Sequence, residues 1–157
     1  MIGSIQAGIA PIIEGNWGLM PVDYVTQSLV YLSQQRRSFG KRFTIINPHV
    51  VSWKNVVNAI CAYGYKLVEV EVQEWISKIT EQISQGKENV LAPFLSSLET
   101  VLYCDLTSGA IKFNTDQTLE FLSGSNIVCP PFSNELIYSY LSYFVKKGRL
   151  KPPALIN

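Results

Sequence analysis

One pair of residues has the types and the spacing of a proton-transfer site, because Tyr143 and Lys147 stand four positions apart. On a helix such residues lie on the same face, and a tyrosine beside a lysine could act as a proton donor. The pair lies near the C-terminus, on a stretch with the apolar period of an ordinary packing helix, and a motif counts only in its structural context. We therefore predict no catalytic residue in this chain.

The other reactive side chains predict no metal site and no nucleophile. His49 is the only histidine, and we interpret it as a solvent-facing loop residue rather than a general base or a metal ligand. Cys61, Cys104 and Cys129 are odd in number and widely separated, which fits neither a disulfide framework nor a paired-cysteine zinc site. The acidic residues show no paired arrangement for hydrolysis or metal binding.

Charge and composition limit the classes of partner. The 157 residues fit one domain, and 13 Lys and Arg against 12 Asp and Glu give a net charge of +1, too little to bind a run of phosphates. Nucleic acid is thus excluded as a partner. Only 16% of the residues are charged, below the roughly one quarter of an average domain. Some apolar surface is therefore expected to be covered by a partner chain or by a second copy in a homodimer.

No apolar stretch approaches the roughly 20 residues that a membrane span needs, and the N-terminus lacks the pattern of a signal peptide. We therefore predict a cytoplasmic protein without a membrane partner.

The elements that would position any site are mostly helical. A helix capped by Asp23 is predicted over residues 24–32, and a buried strand over Phe43–Ile46, where Asn47 and Pro48 stop it. Ser52 begins a helix that ends at Gly64, and residues 66–72 alternate as a half-exposed strand. Further helices are predicted over 75–86, 89–98 and 116–122 and from Asn134 to Gly148, with a loop over 99–114.

This order predicts an α/β fold that is mainly helical, with a few short strands. Strands as short as these need an existing sheet to extend. The sequence therefore indicates that part of the sheet is supplied from elsewhere.

Taken in order, several segments resemble the C-terminal part of thioester reductase domains. These are the terminal reductases of nonribosomal peptide and polyketide assembly lines, members of the extended short-chain dehydrogenase superfamily that are related to carboxylic acid reductases. The segments span nearly the whole chain: Gly8-Ile9-Ala10-Pro11, Met20-Pro21-Val22-Asp23-Tyr24-Val25, Phe43-Thr44-Ile45-Ile46-Asn47-Pro48, Gly64-Tyr65 with Val70 and Trp75, Cys129-Pro130-Pro131, and Tyr140-Leu141-Ser142-Tyr143-Phe144 with Gly148.

The resemblance implies an extended Rossmann-type reductase that uses NADPH to release a carrier-bound acyl or peptidyl thioester as an aldehyde or an alcohol. Residues 1–157 would form a single substrate-binding portion of it. No glycine-rich turn follows a strand here, and the family's Ser or Thr with its Tyr-x-x-x-Lys pair would precede this chain. We therefore predict no cofactor-binding residue in this chain, no catalysis by the chain alone, and a nucleotide-binding half or synthase as its partner.

The resemblance also indicates a substrate-facing edge in the Gly- and Pro-rich segment that joins the two halves in the family. Packing in the core, or for Asp23 a helix cap, explains the same residues without a ligand. A non-catalytic module that docks an acyl or peptidyl carrier protein is the alternative for the whole chain. The candidate substrate-binding residues are Gly8, Pro11, Trp17, Met20, Pro21, Asp23 and Tyr24.

Overall fold

The computed structural model describes residues 1–97 and 113–154, and these divide into two compact units. Unit 1 contains the described residues of 1–15, 52–97 and 133–154, and unit 2 those of 16–51 and 113–132. The prediction that 1–157 form a single substrate-binding portion stays a prediction. The elements are α1 (Ile2–Ala7), β1 (Ile9–Pro11), β2 (Asn16–Trp17), α2 (Val22–Ser33), β3 (Val51–Ser52), α3 (Trp53–Ala62), β4 (Val68–Val70), α4 (Val72–Ser84), α5 (Asp116–Leu122) and α6 (Asn134–Lys146).

The predicted fold class is confirmed, since the described chain is mainly helical with a few strands of two or three residues. In one two-stranded sheet β1 pairs in parallel with β4, and in the other β2 pairs with β3. Within residues 1–97 and 113–154, no helix has the length and apolar content that a membrane span requires.

Unit 1 is built on the β1–β4 pair and on α4, which packs an apolar face against it. Strand β1 was not predicted, because three residues are too few to show a period. Strand β4 confirms the strand predicted over 66–72, with shorter bounds. The buried cluster of this core consists of Ile9, Val70, Trp75, Ile76 and Ile79.

Helices α3 and α6 pack against each other in the same unit. Ser52 caps α3 as predicted, since its side-chain oxygen accepts from the backbone N–H of Asn55 at 3.2 Å. The cap of α6 is one residue earlier than predicted: Ser133 accepts from Leu136 N–H at 3.2 Å, and Asn134 is the first helical residue. Ser and Asn are equally good caps, so the sequence alone does not choose between neighbours.

Three other local predictions are corrected. Asp23 does not cap α2, because the helix already begins at Val22, with Pro21 as the N-cap; the Asp23 carboxylate accepts from the N–H of Tyr24 at 3.0 Å in the first turn. Phe43–Ile46 is not a strand, although Phe43 and Ile45 pack on the core of unit 2.

The third correction concerns the helix predicted over 89–98. The helix starts three residues later than predicted, as a 3₁₀ turn over Ala92–Phe94, and residues 95–97 continue it as α-helix. Asn89 fixes this turn by accepting from the Leu91 N–H at 2.9 Å and donating to the Gly3 carbonyl at 2.9 Å. Residue 98 and most of the predicted loop over 99–114 lie outside the described residues.

Unit 2 has its own core, formed where α2 and α5 meet. The rings of Phe43 and Phe121 are in contact, with their centres 5.1 Å apart. This contact joins the segment around Phe43 to the core of unit 2. The Thr118 hydroxyl also donates to the Thr44 carbonyl at 2.9 Å. The buried residues are Tyr24, Leu32, Phe121, Leu122 and Cys129.

Candidate functional site

Unit 2 contains a pocket with a volume of about 510 Å³, within the range of small-molecule sites. Its walls come from the first turn of α2, the loop after Asn47, helix α5 and the chain that follows α5. Most of the lining atoms are apolar. The lining residues are Tyr24, Pro48, His49, Leu119, Leu122, Ser123, Gly124, Asn126, Ile127, Val128 and Cys129.

The buried wall of this pocket carries no charge at neutral pH. Tyr24 and Cys129 are each only 3% exposed. Burial raises the pKa of the Tyr24 phenol, and the nearby Cys129 raises it further. Burial also raises the pKa of the Cys129 thiol, and the Asp23 carboxylate adds to this effect. Both groups therefore stay protonated, which suits an uncharged ligand better than an ionic one.

The loop beside the pocket is held by one buried amide. Asn47 is 2% exposed, and its side-chain nitrogen donates to the Leu19 carbonyl at 2.6 Å and lies 3.5 Å from the Pro130 carbonyl. Its side-chain oxygen accepts from the His49 backbone N–H at 2.8 Å. Asn47 thus ties together three segments of unit 2, two of which lead directly into pocket-lining residues.

His49 is exposed in its loop, as predicted, and it also lines the pocket. Among the described residues, no three His, Cys, Asp or Glu side chains are grouped so that they could hold a metal ion. Cys61 is exposed and Cys129 is buried, whereas Cys104 lies outside the described residues.

The predicted substrate-facing edge is divided between the two units. Gly8 and Pro11 belong to unit 1. Gly8 ends α1 in the left-handed conformation with φ 72°, and the Pro11 carbonyl accepts from the Trp53 indole N–H at 2.8 Å. Trp17 ends β2 in unit 2. These positions have backbone roles that would hold without a ligand.

The remaining predicted residues lie at the start of α2. Met20 is 38% exposed, Pro21 is buried as the N-cap, and Asp23 is exposed in the first turn. Of the predicted set, Tyr24 lines the pocket. Substrate binding by these residues stays a prediction.

The Tyr143 and Lys147 pair lies at the end of α6, where the lysine ammonium is 5.7 Å from the centre of the tyrosine ring. An ammonium over the ring face is a cation–π contact. Tyr143 is 55% exposed. The prediction that this pair is not catalytic stays a prediction.

Sequence reasoning assigned no role to most pocket residues. Pro48 and Cys129 belong to segments that carried the resemblance, and that is the one signal that could have singled them out. Asn126 adopts φ 61°, which is uncommon for a residue other than glycine, and this positions the chain after α5. No local sequence pattern predicts that these segments meet Tyr24.

Comparisons with known proteins agree with the resemblance seen in the sequence. No family model matches the chain. The chain is 29% identical over 153 residues to one of the subunits of the linear gramicidin synthase of Brevibacillus parabrevis, covering 95% of this chain and 3% of that protein. It is 30% identical over 160 residues to the L-2-aminoadipate reductase large subunit of Eremothecium gossypii, covering 97% of this chain and 11% of that protein.

Among solved structures, the chain matches the terminal R domain of the myxalamid polyketide–nonribosomal peptide pathway with a TM-score of 0.81 and 30% identity. The match covers 97% of this chain and 38% of that chain. The resemblance to the terminal reductase domains of these assembly lines is therefore confirmed. The chain spans about a ninth or less of the length of the two curated relatives it matches.

Proposed function

We propose, on the basis of this similarity to terminal reductase domains, that the chain is the substrate-binding portion of an NADPH-dependent thioester reductase. The complete enzyme would release a carrier-bound acyl or peptidyl thioester as an aldehyde or an alcohol. The observation that carries the proposal is the match to a terminal R domain over 97% of this chain. The synthase similarity also supports a synthase partner.

The described residues do not fit NADPH itself. A dinucleotide pyrophosphate needs a glycine-rich turn that leads from a strand into a helix N-terminus. Gly8 lies between a helix and a strand in the reverse order, because it ends α1 and precedes β1. In our proposal the cofactor is bound by residues outside this chain, and this chain alone does not catalyse hydride transfer.

The pocket of unit 2 supports the substrate-binding part of the proposal. Tyr24 belongs to the Met20–Val25 motif that carries the resemblance, and it forms the buried wall together with Cys129. A neutral wall of this kind accepts an apolar acyl chain without leaving a buried charge unpaired. We propose that the acyl or peptidyl part of the thioester binds there.

Binding of octanoyl-pantetheine thioester to the purified chain tests this site by titration calorimetry. Ser123 is an exposed residue that lines the pocket, so Ser123→Phe should fill the pocket and weaken binding by about tenfold or more. Ser77→Phe makes the same change on the exposed face of α4 and should leave the affinity unchanged. Equal binding by the Ser123→Phe variant and the unmodified chain would exclude this pocket.

The reductase assignment is tested by NADPH oxidation with the same thioester. The chain alone should show none, and addition of a separately expressed nucleotide-binding half should restore it, with aldehyde or alcohol as product. NADPH oxidation by the chain alone would contradict our proposal that residues outside this chain bind the cofactor.

A non-catalytic docking module is the second candidate, and the apolar surface of α2 favours it. Val22, Leu29 and Val30 are 79%, 55% and 51% exposed. This module would bind a carrier protein and need no nucleotide-binding half. A neighbouring reading frame that encodes the glycine-rich turn and a Tyr-x-x-x-Lys pair would favour the reductase, and the lack of one would favour the module.

A further inference from the structure

A short basic loop in unit 2 concentrates positive charge on one surface. Arg36, Arg37, Lys41 and Arg42 are four of the chain's 13 Lys and Arg, and all four are exposed. The rest of the chain therefore carries nine cations against 12 acidic residues. A local excess of one charge in an otherwise acidic chain indicates a surface that attracts an anionic partner.

The loop is ordered by its own backbone. Ser38 N–H donates to Gln35 O at 3.0 Å, and Lys41 N–H donates to Ser38 O at 3.1 Å, with Ser38 buried between them. Gly40 adopts φ 73°, a conformation that suits glycine, and it directly precedes Lys41, whose ammonium shares the Phe121 ring with the Arg37 guanidinium. The backbone that carries the four cations is therefore ordered before a partner binds, which lowers the entropy cost of binding.

Two of the four cations are fixed by Phe121. The Arg37 guanidinium lies 4.5 Å from the ring centre and donates to the Phe121 carbonyl at 3.0 Å, while the Lys41 ammonium lies 4.9 Å from the same ring. Arg36 and Arg42 have no such contact in the described structure. Within residues 1–97 and 113–154, ion pairs join only Lys54 to Glu69 and Lys78 to Glu74, so none of the loop cations is neutralised there.

Between the cations stands Phe39, which is 74% exposed. Arginine and aromatic side chains are enriched at the centres of protein–protein interfaces, where they contribute most of the binding energy. A run of phosphates would instead require a longer basic track, and the acidic remainder of the chain would repel it. The combination favours an acidic protein surface with an apolar contact over nucleic acid.

We propose that the loop Arg36–Arg42 docks an acidic protein surface, and that in the proposed function this surface belongs to the carrier domain that delivers the thioester. Arg36 and Arg42 would pair with carboxylates of the carrier, and Phe39 would contact an apolar residue between them. The identity of the carrier as partner rests on the proposed function. The inference that the partner surface is acidic rests only on the positive charges of the loop.

The test uses the full 157-residue chain and an acyl carrier protein bearing phosphopantetheine, with affinity measured at several salt concentrations. Binding should weaken steadily with salt. The double variant Arg36→Glu and Arg42→Glu should lower the affinity by about tenfold or more at low salt, because it replaces two attractions by repulsions. Phe39→Ala should weaken binding without changing the salt dependence.

The matched control is the double variant Lys66→Glu and Lys87→Glu, which makes the same change in net charge at exposed positions of unit 1. This control should bind like the unmodified chain. Equal losses in both double variants, salt-independent binding, or tighter binding of a DNA duplex than of the carrier would overturn the proposal.

Failure of this proposal is distinguishable from failure of the proposed function. Reduction of octanoyl-pantetheine by the reconstituted enzyme does not need carrier docking, so it would persist in the Arg36→Glu and Arg42→Glu variant. Carrier binding through the loop without any reduction would support docking and favour the non-catalytic module.

Discussion

Replacement of Asn47 by alanine tests whether the pocket loop depends on one buried amide. The change removes the donor to the Leu19 carbonyl and the acceptor for the His49 N–H, which are the two short hydrogen bonds of this side chain. The contact with the Pro130 carbonyl, at 3.5 Å, is at the limit for a hydrogen bond and adds little.

Each buried polar group that loses its partner costs about 1–3 kcal/mol. His49 is exposed, so water can reach part of this loop, and we expect a total loss of about 2–4 kcal/mol for Asn47→Ala. With a urea dependence of about 2 kcal/mol/M, the middle of the usual range, the unfolding midpoint should fall by about 1–2 M.

Urea unfolding followed by circular dichroism measures this loss, and hydrogen exchange of peptides from unit 2 locates it. Asn58 is exposed on α3, so Asn58→Ala removes the same atoms where water replaces the partners and should change stability by less than about 0.5 kcal/mol. A loss below about 0.5 kcal/mol for Asn47→Ala as well would refute the reasoning.

The isosteric change Asn47→Asp adds a pH dependence with a defined sign. A carboxylate there would be buried and would face the carbonyl oxygens of Leu19 and Pro130, so its pKa in the folded state would lie above its value in the unfolded chain, about 3.9. The folded state then binds the proton more tightly, and stability falls as the pH rises through the interval between these two values. A stability gap to the unmodified protein that is constant from about pH 4 to pH 7.5 would contradict this reasoning.

Three further changes test the packing and the caps. Trp53→Phe removes the indole donor to the Pro11 carbonyl at 2.8 Å and should cost about 1–3 kcal/mol in urea unfolding. Ser133→Ala removes the side-chain cap of α6 and should cost about 1 kcal/mol by the same measurement, whereas Ser133→Asp should retain most of it. Because its pKa is raised by burial, the Cys129 thiol should react with iodoacetamide at mildly alkaline pH much more slowly than the exposed Cys61, as followed by peptide mass spectrometry; equal rates would contradict the burial.

The helices were the most predictable part of the fold because their signals are local. A capping side chain and an apolar stripe lie within one segment, so Ser52 and the pattern after Trp75 were sufficient for α3 and α4. The prediction of Asp23 as the N-cap of α2 was wrong because an acidic residue is favourable both at the N-cap and within the first turn. Proline at position 21 already provides the extended conformation that starts α2.

The strands were harder because a strand is defined by its partner. Phe43–Ile46 has the composition of a buried strand, and its side chains do pack on a core, but the Thr44 carbonyl accepts from a side-chain hydroxyl instead of a neighbouring strand. Ile9–Pro11 has no such composition, and it nevertheless pairs with β4. The burial of the Phe43–Ile46 segment could be predicted from its composition, but the pairing of β1 with β4 could not be predicted from the sequence.

The candidate site was the least predictable part, for the same reason. Tyr24 was singled out through its motif, but its neighbours in the pocket come from segments more than 20 residues away. Asn47 contacts the main-chain carbonyls of Leu19 and Pro130, and a contact with a main-chain group leaves no pattern in the sequence. The cations of the basic loop entered the sequence analysis only through the net charge of +1, and only the structure shows that Arg37 and Lys41 meet on the Phe121 ring.

The basic loop and the pocket meet on α5, and Arg37 is the residue that joins them. It holds the ring and the carbonyl of Phe121, and the next residue, Leu122, lines the pocket. Arg37→Ala removes a cation–π contact and a hydrogen bond to a carbonyl, together worth about 1–3 kcal/mol, and should lower both carrier affinity and octanoyl-pantetheine affinity. Arg36→Ala removes a cation without such contacts and should lower carrier affinity alone. Calorimetry with both ligands separates the two outcomes, and an unchanged thioester affinity in Arg37→Ala would show that the loop does not support the pocket.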